Sequence, residues 1–396
     1  MYSSRMAQPK VLLYAELLPN IRQISVMVAL DQPCYTSTKG LLSADGRHIV
    51  LTHGGENYTL SLPEQAIPTA QLQKPVVGSK ELSWRLPVAG LSSQSSVEFV
   101  QSNDAPWPAK DLGSSSEFSC RKCGAVIVQK DVVKSWRDLP SENWAEMMDF
   151  WHCHKPEDRP DVETNGENSH AGHNHTSDPN ANRAYGANTK FIAQSGIGFV
   201  DLTSFLLVDS DCQNLQTVSH GESSSRLPTL SCKSCQSSIG YFDTQSCGVR
   251  LHKWSLSSSS IPGPPSLVAP PISTIISAKL LSILRAQVSS KILLIPETSS
   301  SSQTLHLWVL QQSLFYSTSE SSTGSQTFAM KVLWKHASKE ETKALLDNEK
   351  AEDTTLPDDA VKEIETCLRE SARCLPPSSR LFQGWNVSLL ERYLDE

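Results

Sequence analysis

Across residues 1–115 apolar and polar positions alternate in short runs. Ile24, Val26, Val28 and Leu30 alternate with Ser25, Met27 and Ala29, and the sets Tyr58, Leu60, Leu62 and Leu82, Trp84, Leu86 follow the same rhythm. A period of two, with turn residues between the runs, predicts strands of an antiparallel sheet. His53-Gly54-Gly55-Glu56 lies between two runs and predicts a hairpin connection. Cys34, His48 and His53 are scattered here and read as packing or surface residues.

The rhythm changes beyond residue 271. Ile276, Leu280, Leu281 and Leu284 share one helical face. Strand candidates follow at Ile292–Ile295, at Leu305, Leu307, Val309, and at Phe328–Trp334. Two charged helices are predicted over about Lys339–Glu352 and Asp358–Arg373, the second starting at Pro357-Asp358. Between the ends, residues 116–255 carry short strands, a short helix and a polar insert at about 156–188, rich in Asn, Asp, Glu, Gly and His and expected to be disordered. The Ser/Pro-rich stretch 256–271 reads as a linker. The pattern therefore predicts an α+β chain, predominantly antiparallel β. It has an N-terminal β domain (1–115), a cysteine-bearing middle domain (116–255) and an α+β C-terminal region (272–396).

Composition narrows the partners. With 35 Lys+Arg against 42 Asp+Glu, the formal net charge is −7, which argues against a broad nucleic-acid footprint. Val11-Leu12-Leu13-Tyr14 is interrupted by Glu16 and Pro19, too soon for a secretory apolar region. The uncharged run Ser255–Ala278 contains five prolines and does not read as a membrane span. The expectation is a protein of the cytoplasm, with the nucleus as a second compartment, and with no membrane or direct nucleic-acid partner. In that setting the pattern Asn174-His175-Thr176 is an unused sequon. His170, His173 and His175 are possible weak ligands on what reads as a solvated loop.

Ten cysteines in 396 residues are too few for a disulfide framework. Four of them form two pairs, Cys120-Arg-Lys-Cys123 and Cys232-Lys-Ser-Cys235, each between strand-like runs. Two intervening residues let both sulfurs face one ion from a tight turn, and backbone amides with Arg121, Lys122 and Lys233 favour thiolates there. The two turns together supply a closed four-sulfur Zn²⁺ site of structural type. A redox pair, two separate sites or unliganded thiols are the competing readings, given the long separation over residues 124–231. Paired knuckles joining two sheets resemble the β-tent of Yippee-like and cereblon thalidomide-binding domains, and His252-Lys253-Trp254 after the second hairpin suits that plan.

The most individual stretch is Leu139-Pro140-Ser141-Glu142-Asn143-Trp144, running on to Trp151-His152-Cys153-His154. Ser141 suits an N-cap and Glu142 the first turn. Trp144, Met147, Met148 and Trp151 then fall on one face, which reads either as a packed face or as a partner anchor. Cys153 lies at the helix's negative end, which raises a thiol pKa and suits a metal ligand better than a nucleophile.

These residues, with the two cysteine pairs and the C-terminal region, resemble the family of HECT-like ubiquitin ligases that bind ubiquitin-conjugating enzymes. The resemblance implies binding of a ubiquitin-conjugating enzyme and of ubiquitin, and transfer of ubiquitin to substrate lysines. It implies docking near Cys232–Trp254, with Trp254 in contact. Such transfer uses a thiol that forms a thioester before amine attack. Thr366-Cys367-Leu368, with Leu375-Pro376-Pro377 downstream, echoes the HECT pattern and makes Cys367 the candidate nucleophile, although the C-terminal region is far shorter than a full HECT domain. The same stretch also resembles inhibitory tails that plug metallo-β-lactamase-type RNA endonucleases, the nuclease of pre-mRNA 3′-end processing in particular. In that alternative Cys153, with His154 beside it, ligates the partner's zinc, and Trp144, Met147, Met148 and Trp151 anchor in its cleft.

Overall fold

A computed structural model of the chain describes residues 11–90, 105–139, 191–218, 228–259, 269–287, 289–298, 303–320 and 326–394. The fold is β-rich, mostly antiparallel, with three α-helices among the described residues. It divides into two compact units, one drawn from the chain up to Pro108 and from Ala269 onward, the other from Ala109–Val268.

The first unit is organised by the strand Thr304–Thr318. One edge pairs with Thr327–Ala337, which in turn pairs with Trp385–Glu391. The other edge is shared: Leu305–Trp308 pair with Lys291–Leu294, and Tyr316–Thr318 pair with Tyr14–Glu16 of the strand Val11–Leu18. Chain ends that alternation alone assigns to different domains thus contribute to one nine-stranded sheet, which continues through Gln23–Leu30 to Glu81–Pro87. That pairing joins residues some three hundred positions apart in sequence, and no local pattern encodes it. Glu16 seals the junction: its buried carboxylate accepts from Tyr14 Oη at 2.7 Å and pairs with Lys331.

Within residues 11–90 the alternation is realised closely. Leu82, Trp84 and Leu86 are buried and the residues between them exposed. They pack with Ile24, Val26, Val28 and with Ile49, Leu51, Leu60 of a small three-stranded sheet. In the hairpin, His53 pairs with Glu56 across Gly54 and Gly55, both at positive φ, the conformation a two-residue turn of this hand requires. His53 is buried beside Thr38 and stacks on Tyr35, and Cys34 is buried.

Helix α1 (Ile272–Ala286) buries Ile275, Ile276, Leu280 and Leu281, and helix α3 (Asp358–Ser371) buries Val361, Ile364 and Leu368. Between them, α2 (Lys339–Asp347) is shorter than its sequence pattern. Glu349 takes a left-handed φ of 51°, and Glu352–Leu356 form a strand parallel to Lys291–Pro296 rather than a last helical turn. Tertiary pairing overrides the charged helical pattern there. One relay ties helix to sheet. The buried Ser388 hydroxyl accepts from Trp334 Nε1 at 2.8 Å and donates to the Leu368 carbonyl at 2.6 Å.

The second unit holds a seven-stranded sheet and a three-stranded sheet. The smaller pairs Phe118–Cys120 with Val126–Val128 and with Leu256–Ser258. The linker reading is corrected at its start: Leu256, Ser257 and Ser258 are buried in this strand, since pairing to Phe118–Cys120 shelters serines whose composition signals a loop. Phe118 meets Phe205 and Trp136 of the larger sheet at 4.8 and 5.6 Å between ring centroids. Gly198 has no alternative beside this cluster, because a Cβ there would lie 2.4 Å from the Trp136 ring.

The relay predicts that Ser388→Ala, which strands the Trp334 N–H, lowers the free energy of unfolding by about 1–3 kcal/mol. Urea denaturation followed by tryptophan fluorescence measures this.

Candidate metal centre

Two turns of the second unit are copies of each other. Cys120 ends one strand, Cys232 another, and each chain reverses through two residues to Cys123 or Cys235. Cys120 N donates to Ala125 O and Gly124 N to Cys120 O, both at 2.8 Å. In the second turn Cys232 N donates to Ser237 O and Gln236 N to Cys232 O, both at 2.9 Å. The residue after the second cysteine is left-handed in each, Gly124 at φ 75° and Gln236 at φ 60°. Glycine takes that conformation without cost, whereas Gln236 is held in it by the turn.

The turns face each other across the two sheets. Cys120 Sγ lies 3.6 Å from Cys235 Sγ, and Cys123 Sγ 3.6 Å from Cys232 Sγ. All four sulfurs lie within 4.8 Å of one another. Four ligands at the usual metal–sulfur distance of about 2.3 Å around a tetrahedral ion lie about 3.8 Å apart, so the cluster fits such an ion closely. Cys120 and Cys232 are buried, Cys235 is half-buried and Cys123 is exposed. Further bonds brace the cluster: Asn214 Nδ2 donates to Val126 O at 2.9 Å, and Lys233 N to Asn214 O at 2.8 Å.

The charge state of the sulfurs makes the same point. The Ser237 hydroxyl, 3.0 Å from Cys235 Sγ, and the Ser237 backbone N–H hold that thiol down at about 6. Although the Ala125 N–H favours the Cys123 thiolate, desolvation and the three neighbouring sulfurs keep Cys123 up at about 12. Like charges this close do not all form unless a cation sits among them. Four protein sulfurs leave no position for substrate, so the arrangement suits structure rather than Lewis-acid chemistry. Ser237 and Asn214 were not singled out in the sequence. Aligning the two turns points to Ser237, which stands where the first turn has Ala125, while Asn214 carries no signal.

The other predicted positions are dispersed. Trp254 is buried, and its ring stacks on His252 at 4.4 Å between centroids, so here it is a packed group rather than an exposed contact. Arg121 donates to the Trp254 carbonyl at 3.3 Å, while Lys122 and Lys233 are exposed at the turn tips. Cys367 lies in the C-terminal half of α3, half-buried. The residues Trp144, Met147, Met148, Trp151, Cys153 and His154, the insert and its histidines lie outside the described residues.

Fold and site together define a β-rich protein with a closed four-cysteine centre between two sheets. The chain belongs to the HECT-like ubiquitin-conjugating enzyme (E2)-binding family, which it matches over residues 16–387. It is 39% identical over 85 residues to an uncharacterized protein of Saccharomyces cerevisiae, covering 21% of this chain and 24% of that protein. It is 37% identical over 62 residues to an uncharacterized protein of Schizosaccharomyces pombe, covering 15% and 18%. The matched segments thus span less than a quarter of either relative's length. No solved structure matches the chain. Among the described residues no helix is long and apolar enough to cross a membrane.

Burial holds His252 neutral, lowering its pKa from 6.5 to about 4, and its Nδ1 has no partner among the described residues. The folded state therefore resists a proton that the unfolded chain accepts. This contribution to stability is whole above about pH 6.5 and is lost as the pH falls towards 4. His252→Phe, which keeps the ring over Trp254, is expected to remove about 2 kcal/mol of the stability difference between pH 7.5 and pH 5. Urea midpoints of both proteins at the two pH values test it.

Proposed function

We propose that this protein binds a ubiquitin-conjugating enzyme charged with ubiquitin and promotes ubiquitin transfer to substrate lysines. The observation that carries the reading is membership of the E2-binding family along nearly the whole chain. The docking surface in this reading is the second hairpin, strands Thr229–Cys232 and Ser238–Asp243 with the exposed tip residues Lys233, Ser234 and Gln236. A tip clamped at both ends by sulfur ligands keeps its shape on binding, which lowers the entropic cost of association.

In this proposal Cys120, Cys123, Cys232 and Cys235 hold one Zn²⁺, which ties the hairpin to the smaller sheet and takes no part in the transfer. Metal analysis of the purified full chain is expected to give one zinc per chain. Cys232→Ser is expected to lose the metal and to lower the melting temperature of the second unit, as removal of a structural zinc does.

Cys367 is the candidate for a covalent step. Its thiolate would attack the thioester carbonyl of the conjugating enzyme, expel that enzyme's cysteine thiolate, and pass the acyl group to a lysine amine. It stands in the C-terminal half of the helix, away from the N-terminal turn where cysteines are activated. Docking therefore carries the proposal, and the thioester is its finer form. The alternative partner, a zinc endonuclease of pre-mRNA 3′-end processing, rests on Cys153 and His154. The compartment that goes with this proposal is the cytoplasm, with the nucleus second.

A charging assay separates these. Conjugating enzymes preloaded with labelled ubiquitin are mixed with wild type, Cys367→Ala and Cys153→Ala. Discharge about tenfold or more above the conjugating enzyme alone is expected for wild type with at least one enzyme of a panel. A reducible ubiquitin adduct absent only from Cys367→Ala assigns the thioester to Cys367. Discharge retained in Cys367→Ala without an adduct assigns docking alone. Failure of every conjugating enzyme to bind or discharge refutes the proposal and leaves the endonuclease reading, for which loss of nuclease inhibition in Cys153→Ala is the corresponding result.

A further inference from the structure

One face of the large sheet in the first unit carries, at the edge of the core cluster against which Trp308 and Trp385 pack, an arrangement of cations and aromatic rings that the proposed docking hairpin does not require. Strand register sets Lys291 opposite Trp308, His306 opposite Lys335, and Phe382 opposite Trp385. The two indoles meet edge to face with ring centroids 6.0 Å apart. Lys291 Nζ lies 5.2 Å from the Trp308 ring centre and Lys335 Nζ 5.0 Å from that of Trp385. Both indoles are half-buried, and Phe382 at the end of the row is 48% exposed. Tryptophans flanked by cations and an exposed aromatic form the composition of an interface centre rather than of an ordinary sheet surface.

His306 supplies the second observation. It is only 3% exposed, with its ring 4.8 Å from that of Trp385, and neither ring nitrogen has a hydrogen-bond partner among the described residues. Buried imidazoles ordinarily spend at least their N–H on an acceptor. Here a donor is held against the Trp385 ring with no acceptor among the described residues, near Lys291 and Lys335. The only carboxylate among the groups that act on it is Glu341 of α2, which lies 2.6 Å from Lys335 Nζ. Lys335 and Glu341 are 34% and 39% exposed, so this pair exchanges readily with an outside carboxylate.

We propose that this face binds an acidic segment of a partner protein that also bears aromatic or leucine side chains. Carboxylates of the segment pair with Lys291 and Lys335, displacing Glu341. Its apolar side chains cover Trp308, Trp385 and Phe382, and one of its oxygens accepts from the His306 N–H as the Trp385 edge moves aside. Nucleic acid fits less well. Two lysines neutralise few phosphates, whereas the aromatic rings beside them suit apolar side chains of a peptide. This site lies in the first unit, and the inference holds whether or not the second hairpin binds a conjugating enzyme.

The test uses the full chain and fluorescence polarisation with a short fluorescein-labelled peptide alternating glutamate and phenylalanine. The comparison probes are the same peptide with glutamine for glutamate, and an oligothymidylate of similar length. Saturable binding of the glutamate peptide is expected. It should be about tenfold or more weaker for the glutamine peptide and for the double variant Lys291→Glu, Lys335→Glu, and unchanged for Lys80→Glu elsewhere on the same unit. Trp308→Ala should weaken it similarly, while the lysine reversals, made at partly exposed side chains, keep the test open if that variant fails to fold. Equal binding of the glutamine peptide, preference for the oligonucleotide, no saturable binding, or full binding by the lysine double variant overturns the proposal.

Discussion

Four thiols brought within 4.8 Å of one another set the terms for the second unit. Its smaller sheet consists of strands of only three residues each, too short to be stable on their own pairing. Among the contacts that join that sheet to the larger one are those of Phe118 with Phe205 and Trp136, the bond from Asn214 Nδ2 to Val126 O, and the sulfur cluster. The aromatic contacts tolerate small shifts. With an ion bound as proposed, the cluster would not, because four sulfurs on one tetrahedral centre fix one geometry, and the second hairpin would enter an encounter already shaped.

The first unit is held by different means. Its core is large and apolar, and its closure depends on one long strand, Thr304–Thr318, whose edge is divided between the C-terminal strands and the N-terminal strand Val11–Leu18. The partly buried pairing of Glu16 with Lys331, reinforced by Tyr14, marks that junction. A buried ion pair adds modest net stability against an apolar alternative, but removing one partner is costly. It thus serves to set the register at which the chain ends meet. Both units bury apolar side chains, and the second adds four clustered cysteines to that core.

Local features of this architecture were legible in the sequence. The buried stripe Leu82, Trp84, Leu86, the hairpin at Gly54-Gly55, the faces of α1 and α3, and the grouping of the two cysteine pairs all follow from spacing, because spacing decides which side chains share a face. The partnership of Val11–Leu18 with Thr304–Thr318 was not legible, since strand partners distant in sequence leave no trace in alternation. Nor was the strand Leu256–Ser258, where burial comes from the neighbour and not from the serines. The pattern at Lys339–Glu352 suggested too long a helix because charged residues suit a helix and an exposed strand alike. Trp254 was read as a partner-contact residue, and no sequence rule reveals that His252 stacks on it.

In the proposed function the hairpin that carries Cys232 and Cys235 is where a ubiquitin-conjugating enzyme docks. Hydrogen–deuterium exchange on the full chain, with and without a conjugating enzyme shown to bind it, tests this most directly. Added protection is expected in residues 229–243, centred on Lys233–Ser237, in the zinc-loaded protein, and is expected to be lost when zinc is removed by chelation. Protection confined to other segments, or unchanged after the metal is removed, would contradict it.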